Sequence, residues 1–327
     1  MYISLIIPVF NAELYLSECL DSIYEQITDE IEIIIVNDGS VDSSCFIIDK
    51  FLKKLSDDLR ANVIYVEQEN KGVSAARNLA IELASGDYIA FLDADDTLES
   101  NFFKKIIPQI KFYHPDIIQF NFNYLSCKKI KSGLILKDSI QENSFDFLLK
   151  IFNFNSWYPW ARVYNKELFS NNLFPVGYTF EDPAVVPFLF IKAKNTLILS
   201  DCLYNYRENL SSITRSTEKH KIHKNLISLD YLLSIYCSQD NILFKVCFIH
   251  FFRIYLDYCF MNGGVNGLKD GWKKYGDHYF KISKNHKHLI KNKAGRLFIF
   301  IRYFSFFSYF IMKASSKIIT FLKNSIR

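Results

Sequence analysis

The amino-acid sequence predicts an α/β protein, in which a mostly parallel sheet is flanked by helices and followed by a helical C-terminal extension. Apolar runs without polar alternation recur through about the first hundred residues, and helical patterns separate them. After Ser216 the pattern is helical again. Strands that are apolar on both faces are typical of parallel sheets covered by helices on both sides.

The apolar runs in this first part are short enough to be strands, and they end in polar or turn residues. They are Tyr2–Val9, Ile31–Val36, Val63–Val66 and Tyr88–Leu92. Apolar residues at helical spacing predict three intervening helices, marked by Leu16, Cys19, Leu20, Ile23 and Ile27, then by Cys45, Ile48, Leu52 and Leu55, and then by Ala76, Ala80 and Leu83. Ser40 or Asp42 is the expected N-cap of the second helix, and Gly86 is expected to close the third.

The region from Ser100 to Leu210 is less regular, with one further strand predicted at Ile117–Tyr124. The helical pattern of the C-terminal part is strongest from Asn241 to Met261. A break in it is marked by Gly263, Gly264 and Gly267.

Composition narrows the functional classes. The 39 basic and 35 acidic residues leave a net charge of +4, too mild to indicate a nucleic-acid-binding protein. The seven cysteines show no metal-ligand spacing, as expected of reduced thiols in a cytoplasmic protein. The N-terminus has a strand-like run in place of a signal peptide, and no uncharged apolar run reaches the roughly 18 residues of a spanning helix.

Acidic residues follow two of the predicted strands. Asp38 ends the second strand, and Asp93, Asp95 and Asp96 end the fourth. Ligands of parallel sheets bind beyond these carboxyl ends. A single acid there is usually a turn or N-cap residue, but several together predict a ligand site. In an extended segment Asp93 and Asp95 point the same way, and paired carboxylates suit Mg²⁺ or Mn²⁺ held partly by substrate phosphates.

Further candidates each have a structural alternative. Asp38 could accept a hydrogen bond from a base imide, or belong to a strand–helix loop capped by Ser40. Arg77 could pair with acids, approach a nucleotide, or be a surface cation of its helix. Asp182 beside Glu181 could be a partly desolvated base with a raised pKa, or the pair could be favourable acids at a helix N-terminus. The aromatic residues Trp157, Tyr158 and Trp160 could stack on a sugar or belong to the core, and Trp157 is assigned to the core.

Five segments together resemble family 2 glycosyltransferases of the GT-A fold, of the type that builds bacterial surface polysaccharides. They are SLIIPVFNAELYLSECLDSI, EIIIVNDGSVDSS, NKGVSAARNLAIELASGDYIAFLDADD, PWARVYNKELF and FEDPAVVPFLF. Asn37 departs from the Asp of many relatives, and Ala161-Arg162-Val163-Tyr164 departs from the more usual Lys-Leu-Tyr. The resemblance implies a GT-A catalytic domain at 1–215, with a nucleotide-binding half at 1–100 and an acceptor half at 101–215, and a helical region at 216–327.

The resemblance also implies residue roles. The expected nucleotide-sugar site comprises Pro8, Phe10, Glu13, Asp38, Gly72, Arg77, Asp93, Ala94 and Asp95. Asp95 would ligate Mn²⁺ or Mg²⁺ directly, and Asp93 would approach both the metal and the ribose. Asp182 would be the catalytic base, with Glu181 beside it. On the acceptor side the expected residues are Asp96 and Trp160.

The implied activity is inverting transfer of a sugar from a nucleotide-diphosphate sugar, of UDP type, to a growing surface glycan or a lipid-linked glycan. The strand–helix alternation is shared with dinucleotide oxidoreductases and P-loop NTPases, but neither G-x-G-x-x-G nor G-x-x-x-x-G-K-[ST] is present. The alternative is a non-catalytic GT-A-like binding or assembly subunit.

The C-terminal segment predicts contact with a membrane. Residues 297–312 are apolar and aromatic, Arg302 interrupts them, and lysines and arginines flank them. This pattern favours a helix lying on anionic lipid, on the inner face of the cytoplasmic membrane. A packed C-terminal helix or a dimer contact is the alternative.

Overall fold

The structure is a computed structural model that describes residues 2–125, 138–208 and 218–291. The predicted membrane-contacting segment at 297–312 lies outside these residues. Within them, nine strands form one sheet. The strands are β1 Ile3–Val9, β2 Ile31–Asn37, β3 Val63–Glu67, β4 Tyr88–Phe91, β5 Thr97–Leu98, β6 Ile117–Tyr124, β7 Ser139–Glu142, β8 Arg162–Asn165 and β9 Asn195–Tyr206.

Helices separate most of these strands and follow the last one. They are α1 Leu16–Tyr24, α2 Ser44–Lys54, α3 Asp57–Arg60, α4 Val73–Leu83, α5 Phe102–Tyr113, α6 Phe145–Phe154, α7 Glu181–Lys192, α8 Lys219–Ser238 and α9 Leu243–Asn285. Short 3₁₀ segments lie at Pro159–Ala161, Lys166–Asn171 and Lys287–Leu289.

The parallel part of the sheet confirms the four predicted N-terminal strands. Its order is β3-β2-β1-β4, and Ile3 of β1 pairs with both Ile31 and Tyr88. Every residue of β1, β2 and β4 is buried, because the sheet is covered on both faces. Such burial explains why unalternated apolar runs indicated these strands correctly.

The other part of the sheet is mixed. The predicted strand β6 is present with the expected bounds, and it runs parallel to β9. Strand β8 lies antiparallel to both β4 and β6, so β6 has the same direction as β4. The carboxyl ends of β1, β2, β4, β6 and β9 therefore lie along one edge of the sheet, termed the ligand edge below.

The expected N-caps of α2 are wrong. The helix begins at Ser44, and Ser43 occupies the N-cap position. Ser40 Oγ instead accepts from the Asn11 backbone N–H, 3.0 Å away. Asp42 accepts from the Ser44 and Glu13 backbone N–H groups, both at 3.0 Å. These polar side chains thus bridge two loops.

The sequence predicts that Gly86 closes α4, and this prediction is wrong. The helix ends at Leu83, which is exposed, and Ala84 is already outside the helix. A Cβ on Gly86 would stand 2.7 Å from Ser4 Oγ and 2.8 Å from Ser4 N. Glycine is required there because the chain passes against β1, at the edge opposite the ligand edge.

The described residues form two compact units, one of residues 2–125, 138–151 and 156–208 and the other of residues 152–155 and 218–291. Helices α8 and α9 belong to the second unit. Helix α9 is broken at Gly263 and Gly264, as predicted, and Gly264 has a φ of 57°. Gly267 lies in the helix beyond the break, where a Cβ would stand 2.3 Å from the Cys259 carbonyl oxygen. Among the described helices, none has the length and apolarity that crossing a bilayer requires.

Candidate active site

Two loops at the ligand edge are held together by hydrogen bonds. The Ala12 N–H donates to Ser44 Oγ at 2.9 Å, and the Ser43 N–H donates to Glu13 Oε2 at 3.0 Å. The loop after β1 is thereby fixed to the loop after β2. Pro8 is buried in β1, whereas Phe10, in the loop that follows β1, is exposed.

Asp38, at the end of β2, organises the loop that leads into α4. Its Oδ1 accepts from Gln68 Nε2 at 2.6 Å and from the Lys71 N–H at 2.9 Å, and its Oδ2 accepts from the Gly72 N–H at 2.8 Å. Gly72 has a φ of 89°, which glycine adopts without strain. The buried Asp38 carboxylate therefore fixes the start of the helix that carries Arg77.

Arg77 is the centre of a buried ionic network. Its side chain comes from α4, and the residue is 3% exposed, so it is not a surface cation. Nη2 lies 3.0 Å from Asp93 Oδ1, and Nη1 lies 3.0 Å from Asp182 Oδ1 and 3.2 Å from Glu181 Oε1. Burial alone would lower the pKa of Arg77, but the three carboxylates raise it above its ordinary value. The network joins the acids after β4 to those at the start of α7.

Asp182 is a carboxyl group with a raised pKa. It lies with Glu181 in the first turn of α7. Burial raises the pKa of Asp182 well above its ordinary value, and the Glu181 charge adds to this effect, while Arg77 opposes it. A carboxylate with a raised pKa accepts a proton more readily than an exposed one.

Residues 93–96 form the loop after β4, which we term the acidic loop. Hydrogen bonds from Tyr204 of β9 and from Arg207 hold this loop in place. The Tyr204 hydroxyl accepts from the Asp93 N–H at 3.2 Å and donates to Asp96 Oδ2 at 2.6 Å. The Arg207 N–H donates to Asp96 Oδ1 at 2.6 Å, and Arg207 Nε donates to the Asp95 carbonyl at 2.9 Å. Burial, followed by the charges of Asp93 and Asp95, raises the pKa of Asp96 to about 8.

The sequence predicts Asp96 on the acceptor side, but Asp96 is buried and presents no surface to an acceptor. It is 1% exposed, and both of its oxygens accept hydrogen bonds. Its role in this geometry is to support the loop that presents Asp93 and Asp95.

Sequence reasoning missed Tyr204 and Arg207. Arg207 Nη2 also donates to Glu18 Oε2 at 2.6 Å, and its guanidinium lies 4.8 Å from the Tyr15 ring centre. Arg207 thus connects the acidic loop to α1 and its preceding turn. The sequence offered no signal for this connection, because β9 was not predicted and Tyr204 and Arg207 follow the loop by more than a hundred residues.

The acidic loop suits a divalent cation. Asp93 and Asp95 supply hard carboxylate oxygens from positions two residues apart in this loop. Across residues 2–125, 138–208 and 218–291, no group of three or more His, Cys, Asp or Glu is arranged to hold a metal. Mg²⁺ is commonly bound by one or two carboxylates together with substrate phosphates. Asp93 and Asp95 fit a metal that arrives with a diphosphate.

Trp157 and Trp160 are both buried. Trp157 packs against Phe190 in the core, as predicted. Trp160, which was expected on the acceptor side, is 4% exposed and stacks against three tyrosine rings, so it does not itself offer a face to an acceptor.

Arg162, the first residue of β8, is a second buried arginine. It donates to Gln119 Oε1 at 3.1 Å, to the Tyr158 carbonyl at 2.7 Å and to the Ser156 carbonyl at 2.6 Å. Burial lowers its pKa below the ordinary value. Arg162 thus holds the backbone of residues 156–158 against β6.

Comparison with known proteins identifies related sequences. The family model described as Glycosyl transferase family 2 matches residues 4–170. Glycosyltransferase GlyA of Streptococcus pneumoniae is 30% identical over 280 residues, which cover 82% of this chain and 39% of GlyA. The uncharacterized glycosyltransferase EpsJ of Bacillus subtilis is 33% identical over 235 residues, which cover 68% of this chain and 66% of EpsJ. The chain thus spans well under half of GlyA and about two thirds of EpsJ.

Solved structures show the same fold. The structure of Staphylococcus aureus TarS residues 1–349 in complex with UDP-GlcNAc has a TM-score of 0.65 at 19% identity, covering 91% of this chain and 88% of that one. The mannosyltransferase PcManGT of Pyrobaculum calidifontis, in complex with GDP-Man and Mn²⁺, has a TM-score of 0.53 at 14% identity, covering 91% and 83%. At these identities the likeness establishes the predicted GT-A fold.

Proposed function

This chain belongs to glycosyl transferase family 2, and on that premise we propose that it transfers a sugar from a nucleotide-diphosphate sugar to a bacterial surface glycan. The observation that carries the proposal is the network around Arg77, which joins Asp93 to the Glu181–Asp182 pair. The acids expected to bind a donor and the acid expected to activate an acceptor therefore occupy one cluster. We choose UDP sugars first, because the TarS structure contains UDP-GlcNAc.

The donor side is proposed to bind the nucleotide along the ligand edge. Phe10 is exposed there, with Pro8 behind it, and Glu13 fixes the loop that carries Phe10. Asp38 and Gly72 shape the adjacent loop through their hydrogen bond. Ala94, between Asp93 and Asp95, is 8% exposed, so any contact it makes with the nucleotide sugar is small.

The reaction is proposed to be a direct displacement with inversion at the anomeric carbon. Asp182 takes the proton of the acceptor hydroxyl, helped by its raised pKa. Asp95 and Asp93 would hold Mn²⁺ or Mg²⁺, and the bound ion would offset charge on the leaving diphosphate. Arg77 keeps Asp93 and Asp182 in fixed positions, and much of the acceleration comes from holding two substrates in line.

A stability and turnover screen tests this proposal. Nucleotide sugars are added with Mn²⁺, and a donor that binds the folded chain raises its melting temperature by mass action. We expect a UDP sugar to give the largest shift and to be slowly hydrolysed without acceptor. Asp95→Asn should lose hydrolysis and metal-dependent nucleotide binding while keeping its fold. Full turnover in EDTA would contradict the metal assignment.

The same screen separates the rival function. A non-catalytic binding subunit would bind a nucleotide sugar but release no nucleotide from it. Metal-dependent release that is lost in Asp95→Asn therefore favours the enzyme. Binding without release, over the whole panel of donors, would favour the assembly subunit.

We also propose that residues 297–312 attach the protein to anionic membranes, on the basis of the sequence pattern alone. The full chain should co-sediment with anionic vesicles at low salt, and a chain truncated after Asn292 should not. Equal sedimentation of both chains would favour a packed C-terminal helix.

A further inference from the structure

Six aromatic residues form a cluster at the acceptor end of the ligand edge. Phe122 and Tyr124 come from β6, Tyr204 and Tyr206 come from β9, and Tyr158 and Trp160 come from the turn before β8. In the parallel β6–β9 pair, Phe122 is opposite Tyr204 and Tyr124 is opposite Tyr206. Alternate residues of a strand share one face, so these four rings lie on the same side of the sheet. We refer to the six residues as the aromatic cluster.

The aromatic cluster contains a stack that runs from the interior to the surface. Trp160 is parallel to Tyr204 at a centroid distance of 4.4 Å, with 15° between the rings, and to Tyr206 at 5.3 Å and 13°. Tyr158 is parallel to Trp160 at 5.0 Å and 13°. Tyr204 and Trp160 are buried, but Tyr158 is 44% exposed. Tyr158 is therefore the most exposed ring of the stack.

Tyr158 is connected to the acidic loop through its neighbours. Its ring stacks on Trp160, which stacks on Tyr204, and the Tyr204 hydroxyl accepts from the Asp93 N–H and donates to Asp96. The backbone carbonyl of Tyr158 accepts from Nη1 of Arg162, whose Nε donates to Gln119 of β6. Tyr158 is thus held against the residues that support the acidic loop.

From this placement we propose that Tyr158 is a stacking surface for a sugar ring of the acceptor glycan, and that the aromatic cluster supports it. The inference rests on the proposed function and adds the ligand class of a specific subsite. Pyranose rings present apolar C–H faces that pack on aromatic rings, while tyrosine hydroxyls can bond sugar hydroxyls. Ligand sites of this kind combine aromatic walls with a few placed polar groups.

Burial stabilises core aromatic residues, and Trp160 and Tyr204 are buried in this way. Tyr158 is exposed, although its backbone is anchored by a buried arginine. Tyr158 therefore replaces Trp160 as the acceptor contact, because Trp160 is buried and stacks against Tyr158, Tyr204 and Tyr206.

Saturation-transfer NMR with the methyl glycosides of glucose, galactose and N-acetylglucosamine tests the subsite without needing turnover. Wild-type protein should transfer saturation to the ring C–H protons of at least one glycoside, and Tyr158→Phe should keep this signal. Tyr158→Ala and Tyr158→Ile should lose it, because both lack a ring. The matched control is Tyr113→Ala, since Tyr113 is 41% exposed but lies at the end of α5, just before the start of β6 and away from the ligand edge.

A kinetic measurement gives the second readout. If a glycoside stimulates nucleotide release from the donor, Tyr158→Ala should raise its half-saturating concentration about tenfold, the effect of losing one stacking contact. Tyr158→Phe, which keeps the ring, should leave this concentration near the wild-type value.

The possible outcomes separate this inference from the proposed function. Saturation transfer that Tyr158→Ala leaves intact, or that no glycoside shows with wild type, overturns the stacking subsite even if nucleotide is released. Loss of acceptor-independent release in a folded Tyr158→Ala also overturns it, because the ring would then support the donor site. Ring-dependent saturation transfer without any nucleotide release retains the sugar subsite and rejects the transferase.

Discussion

Two buried arginines mark the two sides of the ligand edge, and they have opposite surroundings. Arg77 is 3% exposed and contacts three carboxylates, whereas Arg162 is 2% exposed and donates to an amide and two backbone carbonyls. Their pKa values shift in opposite directions, up for Arg77 because of its acids and down for Arg162 because of burial. One region is built to hold charges in place, and the other to hold backbone in place.

This contrast indicates that the surroundings of Arg77 and of Arg162 serve different purposes. Around Arg77, positive charge lets three acids remain close together without excessive repulsion. Around Arg162, neutral acceptors fix the turn that carries Tyr158, while the charge of Asp182 is felt only at longer range. Substitutions in the first region should therefore affect turnover most, and substitutions in the second should affect stability and acceptor binding.

The largest effect is expected for Arg77→Met. Removal of one partner from a buried ionic network destabilises a fold by roughly 3–5 kcal/mol, and we expect turnover to be lost as well. Urea unfolding measures the first effect and nucleotide release the second. Arg77 opposes the raised pKa of Asp182, so this pKa should rise further in the variant, and the stability deficit should grow as pH rises through it. A variant as stable and active as wild type would refute the role of this network.

The proposed base gives the next effect. Asp182→Asn should reduce transfer by about a hundredfold or more, the usual contribution of general base catalysis, with little change in nucleotide affinity. Glu181→Gln serves as the matched variant, because it alters the neighbouring acid. If Glu181→Gln were inactive and Asp182→Asn active, the base would be Glu181.

Arg162→Met should have a smaller effect on nucleotide release than either change above, and its main effect should be on stability. Two buried carbonyls and an amide would lose their donor, which costs about 1–3 kcal/mol per unsatisfied group and is partly offset because a buried cation is also removed. Acceptor-independent nucleotide release should remain near wild type in the folded protein. Loss of that release to the degree seen in Arg77→Met would remove the distinction between the two arginines.

The smallest effect concerns pH. Asp182 must be ionised to accept a proton, so kcat/KM should fall as pH decreases through its pKa, which lies above the ordinary value. Burial raises this pKa most, and Glu181 raises it further. Glu181→Gln should therefore move the acidic limb of the pH profile to lower pH. A shift to higher pH would contradict the electrostatic assignment.

The sequence predicted the donor side of the fold well because its strands are buried on both faces. Residues such as Asp93 and Asp95 could be placed from one local pattern, a strand followed by acids. Tyr204 and Arg207 could not, because their hydrogen bonds to the acidic loop span 108 to 112 residues. The burial of Asp96 and Trp160 could not be predicted either, because both residues contact Tyr204 of β9, a strand that the sequence pattern did not predict.

The Arg77 network has a consequence for the order in which the molecule can assemble. Its contacts bridge 16 residues to Asp93, but 104 and 105 residues to Glu181 and Asp182. Closing so long a loop has an entropic cost that only the packing of both halves offsets. During refolding, nucleotide release should then return no earlier than tryptophan fluorescence, and earlier return would contradict this order. The donor half could form its strands early, but Arg77 would then lack its contacts with Glu181 and Asp182 until the later part of the chain had folded.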